Sequence, residues 1–238
     1  MNFGNPNFGF GSMGYGPVGA YSVANAGPDV RANFIRKVYS LFFASLLLTI
    51  VVGWLCTTPA LLPVAMPLII PLGIADFVLV LVLSFWRGVS PIHFALYYLF
   101  AAINGAIIGP VLMMINQYAP GVPAQAAIIT AAVFGGLTFY AFVSGKDFSY
   151  MGGILFAGLI GLVVAGFAMF FIHSTMLATA YAMLGVLIFS GFILYDTSMI
   201  IRRLTPNDTI VGAISLYLDL LNLFWMILQL LMEFQRRD

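Results

Sequence analysis

Charge is scarce in this sequence: Asp, Glu, Lys and Arg make up 7% of its 238 residues, and hydrophobic residues make up 62%. A soluble domain carries about 25% charged residues. Because no water-soluble core accounts for so large an apolar surplus, the composition predicts an integral membrane protein. The net charge is only +1, so we expect membrane lipid, and no nucleic acid, as a partner.

Metal-ligating residues are scarce as well. Cys56 is the single cysteine, which excludes an internal disulfide and a cysteine-based metal cluster. His93 and His173 lie at the ends of predicted helices, where we expect both near the surface, and neither has a second ligand at metal spacing. The sequence contains no ATP-binding motif. We therefore expect no cofactor.

Long apolar runs are what the sequence has instead. A membrane-spanning helix needs about 20 mostly apolar residues, and turn residues separate the runs of that length. The predicted fold class is an all-α integral membrane protein with seven transmembrane helices and no internal repeat. The predicted spans are 34–56, 67–86, 92–115, 122–143, 150–172, 176–201 and 211–232.

Three regions follow from this division. Residues 1–33 are rich in Gly, Asn and Phe, and the first 26 carry no charge; we expect a flexible tail, with an aromatic docking segment as the alternative. Residues 34–234 form the transmembrane domain, and residues 235–238 form a C-terminal tail.

Positive charge predicts the orientation. Lys and Arg precede the first span and follow the second, fourth and sixth spans, whereas the loops after the first, third and fifth spans have none. The N-terminus and the even-numbered loops are therefore predicted to be cytoplasmic. Arg236 and Arg237 are the exception. Either the seventh helix spans and places them outside, or it is re-entrant, and the sequence leaves both open.

Small residues recur every four positions on two of the predicted helices. On the third these are Ala101, Gly105 and Gly109, and on the fifth they are Ala157, Gly161 and Ala165. This spacing allows helices to approach closely, so we expect tight packing at both places.

The last two spans each contain an aspartate, Asp196 and Asp219. An ionisable group inside hydrocarbon costs roughly 2.5–3.5 kcal/mol, which makes each a functional candidate. Asp196 lies six residues before Arg202, and Asp219 lies eight residues into its span. At about 1.5 Å per residue, both carboxyl groups lie about 9–12 Å from the same end of antiparallel neighbours. We expect them to face each other.

Two further residues belong to this set. Arg87 closes the second span at the cytoplasmic end and is the expected cation for both acids. Asp76 lies eleven residues earlier, about 16 Å nearer the outer face, and the sequence shows no partner for it. We expect it to line an outer vestibule. The alternatives are a structural aspartate pair, an interfacial Arg87 and a water-exposed Asp76.

The last helix carries one polar stripe. At about 100° per residue, its members fall on one face, which should point to the bundle interior or to a wet cavity. A helix that is apolar all round apart from one stripe suits the centre of a ring of helices. The stripe consists of Ser215, Asp219, Asn222, Gln229 and Glu233.

The tail motifs resemble the Bax-inhibitor family, also called the transmembrane Bax-inhibitor-motif family. They are Ile-Leu-Tyr-Asp at 193–196, the basic turn that follows, and Ser-Leu-Tyr-Leu-Asp-Leu-Leu-Asn-Leu-Phe at 215–224. Phe-Trp-Arg at 85–87 is similar to the bacterial members. The resemblance covers about 34–234 and leaves out the first 33 residues.

This resemblance implies a seven-helix bundle with the last helix enclosed by the other six. Bacterial members are described as pH-sensitive calcium leak channels. In them, aspartates matching Asp196 and Asp219 sense protons, and an arginine matching Arg87 helps latch the pore. Others modulate a membrane-bound protease, and eukaryotic members are tied to stress and cell-death control. The location implied is the plasma membrane, or the inner membrane of a Gram-negative bacterium.

A mechanism follows from the two acids. Two carboxylates a few ångströms apart in a low dielectric cannot both ionise cheaply, so the pair should share a proton and close the cytoplasmic mouth. Ser215, Asn222 and the hydroxyls of Tyr195 and Tyr217 are candidates to line the pore or support the pair. A tight calcium site needs about six to eight oxygens, so we expect only weak calcium contact at the two acids. The direction of the pH response depends on whether Arg87 offsets the charge.

Two rival classes remain. Intramembrane aspartyl proteases have a Gly-x-Gly-Asp motif, but Asp219 follows Tyr-Leu; rhomboid proteases have Gly-x-Ser-Gly, but the segment 142–145 lacks the first glycine. We therefore expect no enzymatic activity. The other rival is a regulator of a membrane protease or stress-response partner that transports nothing. A proton-coupled transporter has less support, because no broken helix pair is evident.

Overall fold

The structure is a computed structural model that describes residues 22–85, 91–169, 171–172 and 174–236. Its helices are all long and apolar enough to cross a membrane, which confirms the seven-span all-α fold. They are α1 (Pro28–Cys56), α2 (Leu62–Phe85), α3 (Pro91–Tyr118), α4 (Val122–Val143), α5 (Gly152–Met169), α6 (Thr175–Arg202) and α7 (Thr209–Gln235). Short 3-10 turns at Val23–Asn25 and Ser149–Met151 precede α1 and α5.

The N-terminal boundary differs from the prediction. The composition predicts a flexible tail over residues 1–33, but residues 22–33 contain a 3-10 turn and the first turns of α1. Pro28 and Asp29 open this helix, and both are residue types that favour a helix N-terminus. Residues 1–21 lie outside the described part of the chain.

Four other helices, α2, α3, α6 and α7, are longer than their predicted spans, and two of them bear on the predictions. α2 begins at Leu62 and contains Pro67 and Pro71, which membrane helices tolerate because neighbouring groups satisfy the freed carbonyls. α7 is one continuous helix of 27 residues, about 40 Å long. The structure therefore does not show the re-entrant segment that the sequence left open as an alternative for α7.

The most buried helix is α7. In the most apolar stretch of α7, 61% of the residues are buried, compared with 39% or less in the other six helices. From Thr209 to Glu233, no residue of α7 is exposed. α7 packs against α1, α3, α4 and α6, while α2 packs on α3 and α5 packs on α6. Enclosure of α7 by all six other helices stays a prediction.

Glycines let α1 and α3 approach closely. A Cβ atom added to Gly105 would lie 2.6 Å from the Thr49 carbonyl oxygen, and one added to Gly109 would collide with the backbone of Gly53. The predicted tight packing of α3 is therefore confirmed. On α5 the same prediction is wrong, because Gly161 is exposed and has open space around it.

Candidate functional site

The centre of the candidate site is the contact between Asp196 on α6 and Asp219 on α7. Their carboxyl groups lie close enough to interact with each other, and among the described residues the buried Asp219 Oδ2 has no ordinary hydrogen-bond donor. Asp219 is buried, with 5% of its surface exposed, and Asp196 is half-buried. An ionised carboxylate only accepts hydrogen bonds. A hydrogen bond between these two groups therefore requires a proton on one of them.

The rest of the polar stripe is less uniformly buried than Asp219. Ser215, Asn222 and Gln229 are half-buried, and Glu233 is buried at the far end of the helix. Because apolar neighbours such as Leu216 and Leu223 are buried more deeply than the three half-buried residues, the orientation of the stripe toward the bundle interior or a wet cavity stays a prediction.

The two tyrosines of the motifs point in different directions. Tyr195 packs its ring against Gly152 at the start of α5, where an added Cβ would lie 2.8 Å from the ring. Tyr217 is fully buried, with its ring centroid 5.3 Å from that of Phe100 on α3. Tyr217 therefore lies in the helix core on the α3 side, and Tyr195 lies on the α5 side.

Arg87, the cation predicted for the pair, lies outside the described residues, within the gap between α2 and α3. Its position relative to Asp196 and Asp219 stays a prediction.

Asp76 has a partner that the sequence did not reveal. The side-chain amide of Asn104 on α3 donates to the Asp76 carboxyl over 2.7 Å, and also to the Phe100 carbonyl over 3.0 Å. The acid is half-buried between α2 and α3. Because the hydrogen bond joins residues 28 positions apart, only the tertiary packing brings them together.

A second buried polar group lies between α1, α3 and α7. The hydroxyls of Ser45 and Tyr97 are 2.7 Å apart, and those of Thr49 and Tyr217 are also 2.7 Å apart. Thr49 further donates toward the Ala101 carbonyl over 2.9 Å. Sequence reasoning missed Ser45, Thr49 and Tyr97. The sequence does contain a signal for two of them. Ser45 and Thr49 are four residues apart on an apolar helix, so both hydroxyls lie on one face, where they can bond to a neighbouring helix.

Basic residues fasten the α4–α5 loop to the end of α6. The Arg202 guanidinium donates to the carbonyls of Gly145 and Lys146, and Arg203 forms a 3.0 Å ion pair with Asp147. The Ser149 backbone N–H, the Ser149 side chain and Arg203 together lower the pKa of Asp147. These loops and the aspartate pair therefore lie toward the same end of the bundle.

The segment before α1 is attached at that end too. Val23 is fully buried, and its N–H donates to the Leu204 carbonyl in the α6–α7 turn over 2.9 Å. Sequence reasoning missed this contact, because a single valine in a Gly-rich stretch carries no periodic signal.

Within the part of the chain that the structure describes, no three His, Cys, Asp or Glu side chains come together as a metal site. Weak calcium contact at the two aspartates stays a prediction. His93, which we expected near the surface, is buried.

Comparison with known proteins gives the family. A family model described as "Inhibitor of apoptosis-promoting Bax1" matches residues 31–236. The chain belongs to this Bax-inhibitor family. The resemblance that its tail motifs predict is therefore confirmed.

Relatives within the Bax-inhibitor family come from distant organisms. "Protein lifeguard 4" of Mus musculus is 36% identical over 213 residues, which cover 88% of each chain. "Bax inhibitor 1" of Schizosaccharomyces pombe is 32% identical over 232 residues, covering 91% of this chain and 82% of the relative. "Inner membrane protein YbhL" of Escherichia coli is 32% identical over 217 residues, covering 83% and 90%.

The Bax-inhibitor match includes the aspartate pair, Asp76 and Arg87, but not Val23, which precedes residue 31. The candidate site thus lies wholly inside the family region, and the attachment of the N-terminal segment lies before it.

Proposed function

We propose that this Bax-inhibitor family protein is a pH-sensitive, calcium-permeable leak channel whose gate is the pair Asp196 and Asp219. The observation that carries the proposal is the carboxyl–carboxyl contact between α6 and α7 inside the membrane domain. Buried acids in membrane helices are costly, and they mark ion and proton paths.

The gate works through a proton held between the two acids. With the proton in place, the hydrogen bond joins α6 to α7 close to their connecting turn. Without it, two negative charges in a low-dielectric site repel strongly, and the two helices separate there. Arg87 is the proposed counter-charge, and its distance from the pair sets how far the repulsion is offset.

Permeation fits this site better than calcium storage. The pair offers two carboxyl groups, and Ser215 and Asn222 on the same stripe add only neutral oxygens, fewer than the about six to eight that a tight site needs. Weak contact lets an ion leave as readily as it enters, which conduction requires. The flux is passive, and no cofactor or enzymatic step is part of the proposal.

The end of the bundle that carries the gate is proposed to be cytoplasmic. Lys146, Arg202 and Arg203 lie at that end, together with the N-terminal segment held by Leu204. Positive residues concentrate in cytoplasmic loops. The relative from Escherichia coli is named an inner membrane protein, which supports a plasma-membrane location.

The test is calcium flux into liposomes that contain the purified protein, from about pH 6 to about pH 8. The variant Asp219→Asn removes the ionisable group but keeps the shape, so we expect its flux to lose pH dependence. Asp29→Asn is the matched control, because this exposed acid lies in the first turn of α1, before the predicted span that begins at residue 34. A pH profile of Asp219→Asn identical to the unsubstituted protein would remove the pair from the mechanism.

A regulator without transport is the alternative. The description of the family and the name of the relative from Schizosaccharomyces pombe favour it, since both describe an inhibitor. In that case the aspartate pair only holds α6 and α7 together, and the binding partner is a membrane protease or a stress-response protein. Inert liposomes combined with co-purification of a membrane protease would support this alternative. Cleavage of a reporter helix by the purified protein would instead indicate an intramembrane protease.

A further inference from the structure

A cleft of about 540 Å³ opens on the side of the bundle, between α1, α3 and the first turn of α4. It lies at the end of the bundle opposite the α6–α7 turn, since it is lined by the C-terminal halves of α1 and α3. Trp54 and Ile50 on its rim are 68% and 60% exposed. In a membrane-spanning bundle, such exposed apolar side chains face lipid. The cleft therefore opens toward the hydrocarbon of the bilayer.

The floor of the cleft is made of backbone. Gly53 of α1 and Gly109 of α3 both line it, and they lie so close that a Cβ on Gly109 would meet the Gly53 backbone. Because these glycines bring the two backbones into contact, backbone forms the floor of the cleft, and the larger lining side chains stand on either side of it. The shape is thus a product of the same glycines that join the two helices.

The lining of the cleft is apolar in the middle, and it is polar but uncharged at both ends. None of the described residues that line the cleft is charged. At the inner end, the Thr49 hydroxyl is engaged by Tyr217 and by backbone carbonyls. At the outer end, Thr57 bonds the Trp54 carbonyl and Asn116 accepts from the Gly121 N–H. Water needs two to four polar partners, which the apolar middle does not provide.

We propose that this cleft binds one acyl chain of a membrane phospholipid from the leaflet at that end. The run from Thr49 to Thr57 is about 12 Å long, less than half of the about 30 Å hydrocarbon core, so the cleft belongs to a single leaflet. Its volume lies in the range of about 300–1,000 Å³ that ligand sites occupy. The ester region of the lipid lies beside Thr57 and Asn116, and the uncharged lining does not select for headgroup charge.

A lipid bound in the cleft would also affect the packing of α7. The inner end of the chain lies against Thr49, whose hydroxyl contacts Tyr217 of α7. A bound acyl chain therefore supports the α1–α3 wall at the place where α7 is hydrogen-bonded to it. This inference stands on the cleft alone and does not depend on channel activity.

The test uses the full-length protein in liposomes of phosphatidylcholine that carries a photoreactive diazirine in one acyl chain. After illumination, mass spectrometry maps the labelled peptides. We expect labelling to concentrate around Trp54 and Met113 at the cleft. Equal labelling of Ile74 on α2 and Ile128 on α4, which are also lipid-facing, would show only the general lipid shell and overturn the proposal.

A filling substitution gives the second arm. Ala124→Trp, at the mouth of the cleft, should lower cleft labelling about tenfold, the loss that roughly two buried CH₂ groups represent. Ile128→Trp adds the same side chain to an exposed position of the same helix and should leave labelling unchanged. If Ala124→Trp does not fold, the map of the unsubstituted protein decides. Labelling of the cleft by a photoreactive sterol that excess phospholipid does not displace would overturn the proposal.

Discussion

The hydroxyl of Thr49 on α1 lies 2.7 Å from the hydroxyl of Tyr217 on α7, and both side chains are buried. This hydrogen bond links the most buried helix to the α1–α3 pair through two groups 168 positions apart in sequence. Tyr217 is only two residues from Asp219, so its hydrogen bond fixes the rotation of α7 near the aspartate pair.

Removal of the Tyr217 hydroxyl should weaken this link. In Tyr217→Phe the ring remains in place, and Thr49 keeps its backbone acceptors, so we expect unfolding to become easier by about 1 kcal/mol. The measurement is reversible unfolding in mild detergent or bicelles. Tyr118→Phe is the matched control, because Tyr118 is 83% exposed at the end of α3. Equal stability of the two variants would show that the hydrogen bond contributes nothing.

The glycine crossing gives a second prediction. Gly109→Ala places a methyl group against the Gly53 backbone, where neither helix can move aside locally, so we expect a loss of about 1–3 kcal/mol in unfolding free energy. Gly135→Ala on α4 is the control, since that position has open space around it and alanine favours helix. The prediction fails if both substitutions change stability by the same amount, whatever its sign.

The loop ion pair gives a prediction about pH. The pKa of Asp147 is lowered by the hydrogen bond from the Ser149 N–H, with further contributions from the Ser149 side chain and Arg203. A carboxyl group that is more acidic when folded stabilises the fold above its unfolded pKa of about 3.9, and this contribution is lost as the pH falls through the lower folded value. Both partners are exposed, at 56% and 37%, so the effect is at most about 1 kcal/mol.

The measurement compares the midpoint of thermal unfolding of Asp147→Asn with that of the unsubstituted protein. At about pH 7 the variant should melt lower by at most about 3 °C. The difference should shrink as the pH falls below about 3.9 and vanish once the pH is below the lowered folded pKa of Asp147. A difference that grows on acidification would contradict the assignment. Since this titration is complete well below neutral pH, any change in flux between about pH 6 and pH 8 has another origin.

The sequence was sufficient for the features that depend on local pattern. The seven apolar runs predict the seven helices, because hydrocarbon selects for length and apolarity alone. The positions of Asp196 and Asp219 relative to their shared turn predict that the two side chains meet, since a short turn makes antiparallel neighbours and the rise per residue then sets the height.

Features that depend on distant partners were not predictable in this way. Nothing near Asp76 in the sequence points to Asn104, and nothing in α1 alone shows that Thr49 meets Tyr217. The small residues of α3 and α5 have the same spacing, yet only those of α3 pack against a helix. Spacing shows that a close approach is sterically allowed, but the neighbouring helix decides whether it occurs.

The contact of Val23 with Leu204 has a practical consequence. Only four residues, 24–27, separate Val23 from the start of α1, a reach of about 14 Å even when fully extended. A fluorophore attached at Ser22 would therefore be held close to the loop that joins α6 and α7. Energy transfer from it to a dye on that loop would report, in real time and without any ion, when the last two helices part.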